Sequence, residues 1–381
     1  MKLSREAEQY ILDSQEELKQ LIRELCAIPA PSHHEGARAA FCKQWFEKNG
    51  GKNVTVDDAQ NVICPYRVTE DNELAVVMAH TDTVFPDTEP MPFREEGGRM
   101  FCPGVTDDTA NLAVMMICAR YILQKAPPTK TGVLFVANSC EEGLGNLKGS
   151  RAVTAKYGSR MKELVTLDGA NLTAVVTRAV GSHRYRVRAT TGGGHSFRDF
   201  GKPNAIAILS ELVHELYRVE PPAEGGSRTT YNVGVISGGT SVNTIAQSAE
   251  LLYEYRSDDP RCLAKMEGIF RDVLAKCAPK EGTLSAERIG ERPCAGQVDQ
   301  GAMGDLIGRA AAAVRAATGR EPVFTSGSTD CNIPLAAGIP AVCLGVCVGG
   351  GCHTREEWLD PASLADGCRL FLEFFGNYLK K

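Results

Sequence analysis

Histidine and carboxylate side chains recur in this chain where an apolar run has just ended. Met78-Ala79-His80-Thr81-Asp82 closes one such run. Residues two apart in extended chain face the same way, so Asp82 can accept a proton from the His80 imidazole. That fixes the tautomer and makes the ring a better metal ligand. The bland alternative is a strand-end histidine with a chance acidic neighbour. Asp107-Asp108 lies in the turn GVTDDTAN, before another apolar stretch. A helix N-cap explains one aspartate well. It explains two less well when a buried helix follows. Glu141-Glu142 stands in NSCEEGLG, again after an apolar run. Adjacent carboxylates repel, and a metal held by one would relieve the cost and leave the other free as a base. A solvated pair in a loop is the alternative, since Gly143 and Gly145 imply a turn. Asp168 in TLDGA and His353 in GGGCHTREEW also lie just past apolar runs. Two histidines and several carboxylates suit zinc better than calcium or magnesium. A carboxylate-rich set also suits two ions sharing one bridging aspartate.

The elements that must position these groups are legible in the hydrophobic pattern. Glu73–His80, Gly132–Asn138 and Leu164–Asp168 are β-rich runs without alternation, as buried parallel strands require. Thr109–Gln124 is apolar nearly all round and reads as a core helix ended by Ala126-Pro127-Pro128. Ala310–Thr318 reads as helix, Ala341–Gly345 as a buried strand, and an amphipathic last helix starts near Ala362. The candidate ligands therefore cluster at strand C-termini, where open parallel sheets bind ligands. The middle of the chain differs. Ser182–Thr190 alternates strictly, with Arg184, Arg186 and Arg188 on one face, as a half-exposed antiparallel strand does. A helix (Ala205–Tyr217), two strands (Thr229–Ile236, Ala249–Tyr255), a helix (Pro260–Ala275) and a strand near Thr283–Ile289 follow. The order β-α-β-β-α-β is that of a small α+β unit inserted into an α/β domain.

Composition narrows the function classes. The chain has 381 residues, enough for two domains, and a formal net charge of -5. Its basic runs are short and carry no interleaved aromatics, which argues against nucleic-acid or membrane partners. The N-terminus reads as an amphipathic helix rather than a signal peptide, and no stretch approaches the ~20 apolar residues of a membrane span. The fourteen cysteines contain no CxxC pair and read as reduced, mostly buried residues of a cytoplasmic protein. His33 and His34 read as loop residues, and His214 as a helix-surface residue.

Taken in order, AHTDTV, TDD, EEG, LDG, GGGHS, GGTSVNTIA followed by YEYR, GSTDCN and HTREE make the chain resemble one family over essentially its whole length. That family is the di-zinc metallopeptidases and deacylases of peptidase T, carboxypeptidase G and the aminoacylases. The resemblance implies a zinc-peptidase-like α/β catalytic domain in two segments, 1–180 and 290–381, interrupted by an α+β lid and dimerisation domain at 181–289. It makes Asp107 the bridging carboxylate, with His80 and Asp168 on one zinc and Glu142 and His353 on the other, Co2+ or Mn2+ being substitutes. Glu141 becomes the general base toward a water held between the metals, and Asp82 the partner of His80. A cis peptide bond is implied between Asp107 and Asp108. His195 becomes an oxyanion donor, often in the neighbouring subunit's site. Asn243 and Arg256, thirteen residues apart, become the clamp on a substrate carboxylate, a group a guanidinium fork recognises at two points.

The implied activity is hydrolysis of short peptides by a homodimer, as a di- or tripeptidase or other exopeptidase. An N-acyl or N-carbamoyl amino-acid amidohydrolase is the alternative, and a non-catalytic metal-binding protein a second. Thr109, Ala110 and Asn111 depart from the Lys or Met and small residues common in relatives. Cys140, Cys331 and Cys352 each adjoin a motif and read as packing residues.

Overall fold

The computed structural model describes residues 3–379. The chain divides into two compact units, one running up to Ala179 and again from Ala295, the other Val180–Cys294.

In the first unit the amphipathic N-terminal segment forms two helices, α1 (Arg5–Asp13) and α2 (Gln15–Cys26), instead of one. Ser14 closes the first and opens the second. Then come α3 (Gly36–Lys48), β1 (Thr55–Val56), β2 (Val62–Tyr66) and β3 (Leu74–His80). A hairpin, β4 (Arg94–Glu96) and β5 (Arg99–Phe101), leads into the turn Val105–Ala110 and the helix α4 (Asn111–Lys125). Residues Asn111 to Arg120 of α4 are buried without a break, which is why no polar face shows in its sequence. β6 (Gly132–Asn138), α5 (Lys148–Tyr157), β7 (Met161–Leu167) and β8 (Ala174–Ala179) complete this segment.

The second unit has the order read from the sequence: β9 (Gly181–Thr190), a two-residue β10 (Gly194–His195), α6 (Ala205–Leu216), β11 (Thr229–Gly238), a two-residue β12 (Thr244–Ile245), β13 (Ser248–Ser257), α7 (Pro260–Lys276) and β14 (Thr283–Arg292). Asn204 caps α6 through Ile206 N–H at 2.9 Å, and Asp259 caps α7 through Arg261 N–H at 2.7 Å with Pro260 in the first turn. The sheet order is β11-β13-β9-β14, all antiparallel. Tyr185, Val187 and Ala189 of β9 join Tyr253, Tyr255 and Phe270 in the core of this unit. Arg184, Arg186 and Arg188 lie on the other face, paired with Glu254 and Glu250.

The chain returns to the first unit with α8 (Gln300–Thr318), β15 (Val323–Gly327), α9 (Asn332–Ala336), β16 (Ala341–Leu344), a hairpin of β17 (Val348–Gly350) and β18 (Trp358–Asp360), and α10 (Leu364–Phe375). The main sheet has the order β1-β2-β6-β3-β7-β16-β8-β15. Its centre, β6-β3-β7-β16, is parallel. Every residue of β3 and β6 is buried, as runs without alternation require. The register sets the site. His80 pairs with Asn138, so the chain after β6 emerges beside His80. Met78 pairs with Thr166, which brings Asp168 level with His80. A second sheet, β17-β18-β5-β4, carries His353 between β17 and β18, not directly after the buried strand β16. Every cysteine is free. Among the described residues no helix is long and apolar enough to cross a membrane.

Candidate metal centre

Five residues predicted from the sequence converge in the first unit. His80, Asp107 and Asp168 offer ligand atoms within 4.8 Å of one another, and so do Asp107, Glu142 and His353. Asp107 is common to both groups, and its two oxygens face opposite ways. Oδ1 lies 3.1 Å from His80 Nε2 and Oδ2 lies 3.1 Å from His353 Nε2. His353 Nε2 is also 3.1 Å from Glu142 Oε1. Donors bound to one zinc at ~2.0–2.2 Å in tetrahedral geometry stand about 3.3 Å apart, so these spacings fit shared ions.

Charge points the same way. Burial opposes ionisation of Asp107, yet the imidazoles of His353 and His80 hold its carboxyl well below the usual range. Burial and then the Asp107 charge push the Asp168 carboxyl up to about 7. Asp108 Oδ2 accepts His80 N–H at 2.8 Å, while its buried Oδ1 has no hydrogen-bond partner. Such a concentration of buried acids asks for cations, and His, Asp and Glu in this mixture suit two divalent ions. Among the described residues no cysteine belongs to these groups. Cys140, Cys331 and Cys352 have thiols raised to about 12, chiefly by burial.

Glu141 enters a third group, with His80 and Glu142, so its carboxylate also borders the centre. Asp82 does something the sequence did not disclose. Its carbonyl, at 3.0 Å, is the nearer acceptor for His80 Nδ1, and its carboxylate lies 3.4 Å away. Besides this pairing with His80, the carboxylate accepts Glu141 N–H (2.9 Å), Glu142 N–H (3.0 Å) and Ser32 Oγ–H (2.6 Å). One buried residue thus holds the histidine through its carbonyl and its carboxylate, and the paired glutamates through its carboxylate oxygens. Backbone at positive φ sets two of the approaches, at Cys140 (55°) before Glu141 and at His353 itself (64°).

The turn that carries Asp107 has a support missed by sequence reasoning. Glu357 is wholly buried and accepts backbone N–H groups from Gly104 (2.9 Å), Thr106 (2.8 Å) and Asp107 (2.9 Å). Burial pushes its carboxyl up to about 7 despite these donors. The signal was present in HTREE, an acid four residues after His353, but spacing alone does not say that it reaches back to residue 107. The Asp107–Asp108 bond is cis, as the resemblance implies.

His195, Asn243 and Arg256 belong to the second unit. β10 pairs with β12, His195 opposite Thr244, and Ser196 N–H bonds Asn243 O at 3.0 Å, so His195 and Asn243 are neighbours. His195 is exposed at the end of β10, and its Nδ1 accepts Phe197 N–H at 3.2 Å, which places the proton of the neutral ring on Nε2. Arg256 is elsewhere. It lies near the Ser257 end of β13, whereas Asn243 lies beyond the Ser248 end. At ~3.3 Å per residue the two are about 25 Å apart, too far for both to reach the same carboxylate from one copy of this unit. The Arg256 guanidinium is held by both oxygens of Glu254, at 2.8 and 3.1 Å. His33, His34 and His214 are exposed, as read from the sequence.

A sequence profile of peptidase family M20/M25/M40 matches residues 76–377. An uncharacterized protein of Bacillus subtilis (strain 168), YqjE, is 26% identical over 356 residues, covering 88% of this chain and 91% of that one. Among solved structures, a tripeptidase from Staphylococcus aureus subsp. aureus Mu50 superposes with a TM-score of 0.77 at 21% identity, over 96% of this chain and 99% of that one. An amidase of the hydantoinase/carbamoylase family from Burkholderia vietnamiensis superposes with 0.72 at 18%, over 96% and 98%. These two likenesses establish the fold.

Proposed function

The chain belongs to peptidase family M20/M25/M40, and from that premise we propose that it removes terminal residues from short peptides at a two-zinc centre. It is a hydrolase, and its reaction is metal-dependent cleavage of peptide bonds. The observation that carries the site assignment is Asp107, whose two oxygens each face an imidazole backed by a further carboxylate. His80 and Asp168 would hold one ion and Glu142 and His353 the other, with Asp107 between them. Two divalent cations bound there supply Lewis acidity toward the scissile carbonyl and the attacking water.

The remaining roles fall to the chain's own groups. Glu141 takes the proton of the attacking water and returns it to the leaving amine. Asp82 keeps Glu141 and Glu142 in register by holding their adjacent N–H groups. His195 donates from Nε2 to the oxyanion, with Nδ1 occupied by Phe197 N–H. Arg256 takes the free carboxylate of the substrate, exchanging Glu254 for it.

A short peptide spans ~3.5 Å per residue, far less than the separation of Asn243 and Arg256. If His195, Asn243 and Arg256 all touch one substrate, two lids are needed, which supports a homodimer. β11 is an edge strand with Val235 and Ile236 more than half exposed (51% and 53%), an edge suited to a second copy.

The test is a panel of dipeptides, tripeptides and N-acyl and N-carbamoyl amino acids, assayed after chelation and after zinc or cobalt is restored. Chelation is expected to abolish hydrolysis and metal to return it, with the peptides cleaved fastest. Full activity in metal-free protein would overturn the proposal. Preference for the acylated amino acids would turn it toward a deacylase, since the same machinery serves both.

A further inference from the structure

We propose that a pocket beside the metal centre selects substrates by an apolar side chain next to the scissile bond; this rests on the hydrolase reading above and deepens it. A cavity of about 340 Å³ opens in the first unit where the segments after α2, β3 and β6 meet. Pro31, Val84, Phe85, Pro86 and Leu144 supply apolar walls, and Glu142, one of the candidate ligands, stands in the same lining. The pocket is therefore continuous with the place where a scissile carbonyl would sit.

Its walls are held from behind. Arg355 lies over the Phe85 ring at 4.8 Å and pairs with Asp87 at 2.7 Å, so Phe85 is fixed. Gly145 rests on Cys140, where a Cβ would come within 2.8 Å of its backbone, and this flattens the turn and displays Leu144. His33 is tied into the rim at both ring nitrogens, with Leu144 O and Cys140 Sγ each 3.4 Å away. Ser32 donates to Asp82 at 2.6 Å, which couples this rim to the residue that orients Glu141 and Glu142. Val84 and Leu144 remain 39% and 48% exposed. They are large apolar side chains kept wet inside a concavity, the arrangement that an apolar ligand group relieves. A charged side chain would lose part of its water against the apolar walls.

The experiment uses the zinc-loaded full chain and two tripeptide series, one varied before the scissile bond and one after it, with Gly, Leu, Met, Phe, Asp and Lys. In one series the apolar residues are expected to exceed Gly, Asp and Lys at least about tenfold in kcat/KM. Leu144→Asp and Val84→Asp, with Leu144→Ser and Val84→Thr as milder versions, should cut the Leu-to-Gly ratio about tenfold while bound metal, measured by atomic absorption, stays at the wild-type level. Hydrolysis with no apolar preference in either series, or variants that leave the ratio unchanged, would overturn the pocket and spare the hydrolase. No cleavage of any peptide or N-acyl amino acid would overturn both.

Discussion

Asp107 sets the logic of the site at the scale of single residues. Because its two oxygens face two imidazoles, the proposed reading has Glu142 and Asp168 each complete one side and gives Glu141 the proton transfer. Glu141→Gln keeps the shape and removes the basicity, so it should retain near-normal zinc and lose ~10²–10⁴ in kcat. His80→Ala should lose zinc as well, as measured on dialysed protein. Zinc loss in the glutamine variant with substantial residual turnover would exchange the roles of Glu141 and Glu142. At this scale much was legible, because a histidine or acid that ends a buried run has few structural reasons to be there. Asp82 shows the limit. Its type and spacing marked its pairing with His80, but not that its carboxylate also takes the N–H groups of Glu141 and Glu142. Glu357 shows a second limit. A buried acid serving three N–H groups some 250 residues earlier is invisible until both ends are placed. Removing it strands those donors at ~1–3 kcal/mol each, so Glu357→Ala should lower both Tm and zinc affinity, whereas a surface change such as Glu356→Ala should move neither.

At the scale of elements, the strands that were read correctly are those buried on both faces or strictly alternating, since a continuous apolar run or a clean period of two has one dominant cause. β8, β15 and the small sheet β17-β18-β5-β4 were not read, because short or half-exposed strands mix polar and apolar residues without a clear period. The break at Ser14 was likewise hidden, as both helices share one amphipathic pattern. Helix α10 carries a subtler constraint. A Cβ on Gly367 would fall 1.7 Å from the carbonyl oxygen of Val346, so the helix lies directly on the chain after β16. Glycine is costly inside a helix, and here close approach accounts for it. Gly367→Ala, which in an open helix would stabilise, should destabilise by about 1–3 kcal/mol through overpacking. Thermal unfolding should show a Tm several degrees lower, and an unchanged or higher Tm would mean that the approach is less close.

At the scale of the whole molecule, the second unit raises a question of assembly. The β-α-β-β-α-β order was legible because its strands alternate, whereas the separation of Asn243 from Arg256 was not. Thirteen residues look close in sequence, but most of them lie along the extended β13, which carries the two to opposite ends of a sheet. His195 and Asn243 therefore lie together as one group and Arg256 apart as another. A substrate of two or three residues that meets both groups must meet two chains, and this yields a sorting rule. If His195 and Asn243 serve the partner's centre while Arg256 serves its own, inactive variants fall into two classes. His195→Ala and Asn243→Ala form the first, Glu141→Gln and Arg256→Ala the second. Mixing variants across classes lets each mixed dimer assemble one intact site, so activity should return toward a quarter of wild type at equal mixing, from half of the dimers with one good site each. Mixing within a class should restore nothing, because every site then keeps a defect. Subunit exchange can be verified with differently tagged chains recovered together. Recovery between Asn243→Ala and His195→Ala would break the grouping, and no recovery in any pair would place all four residues in one chain's site, which the length of β13 then requires to close by another route.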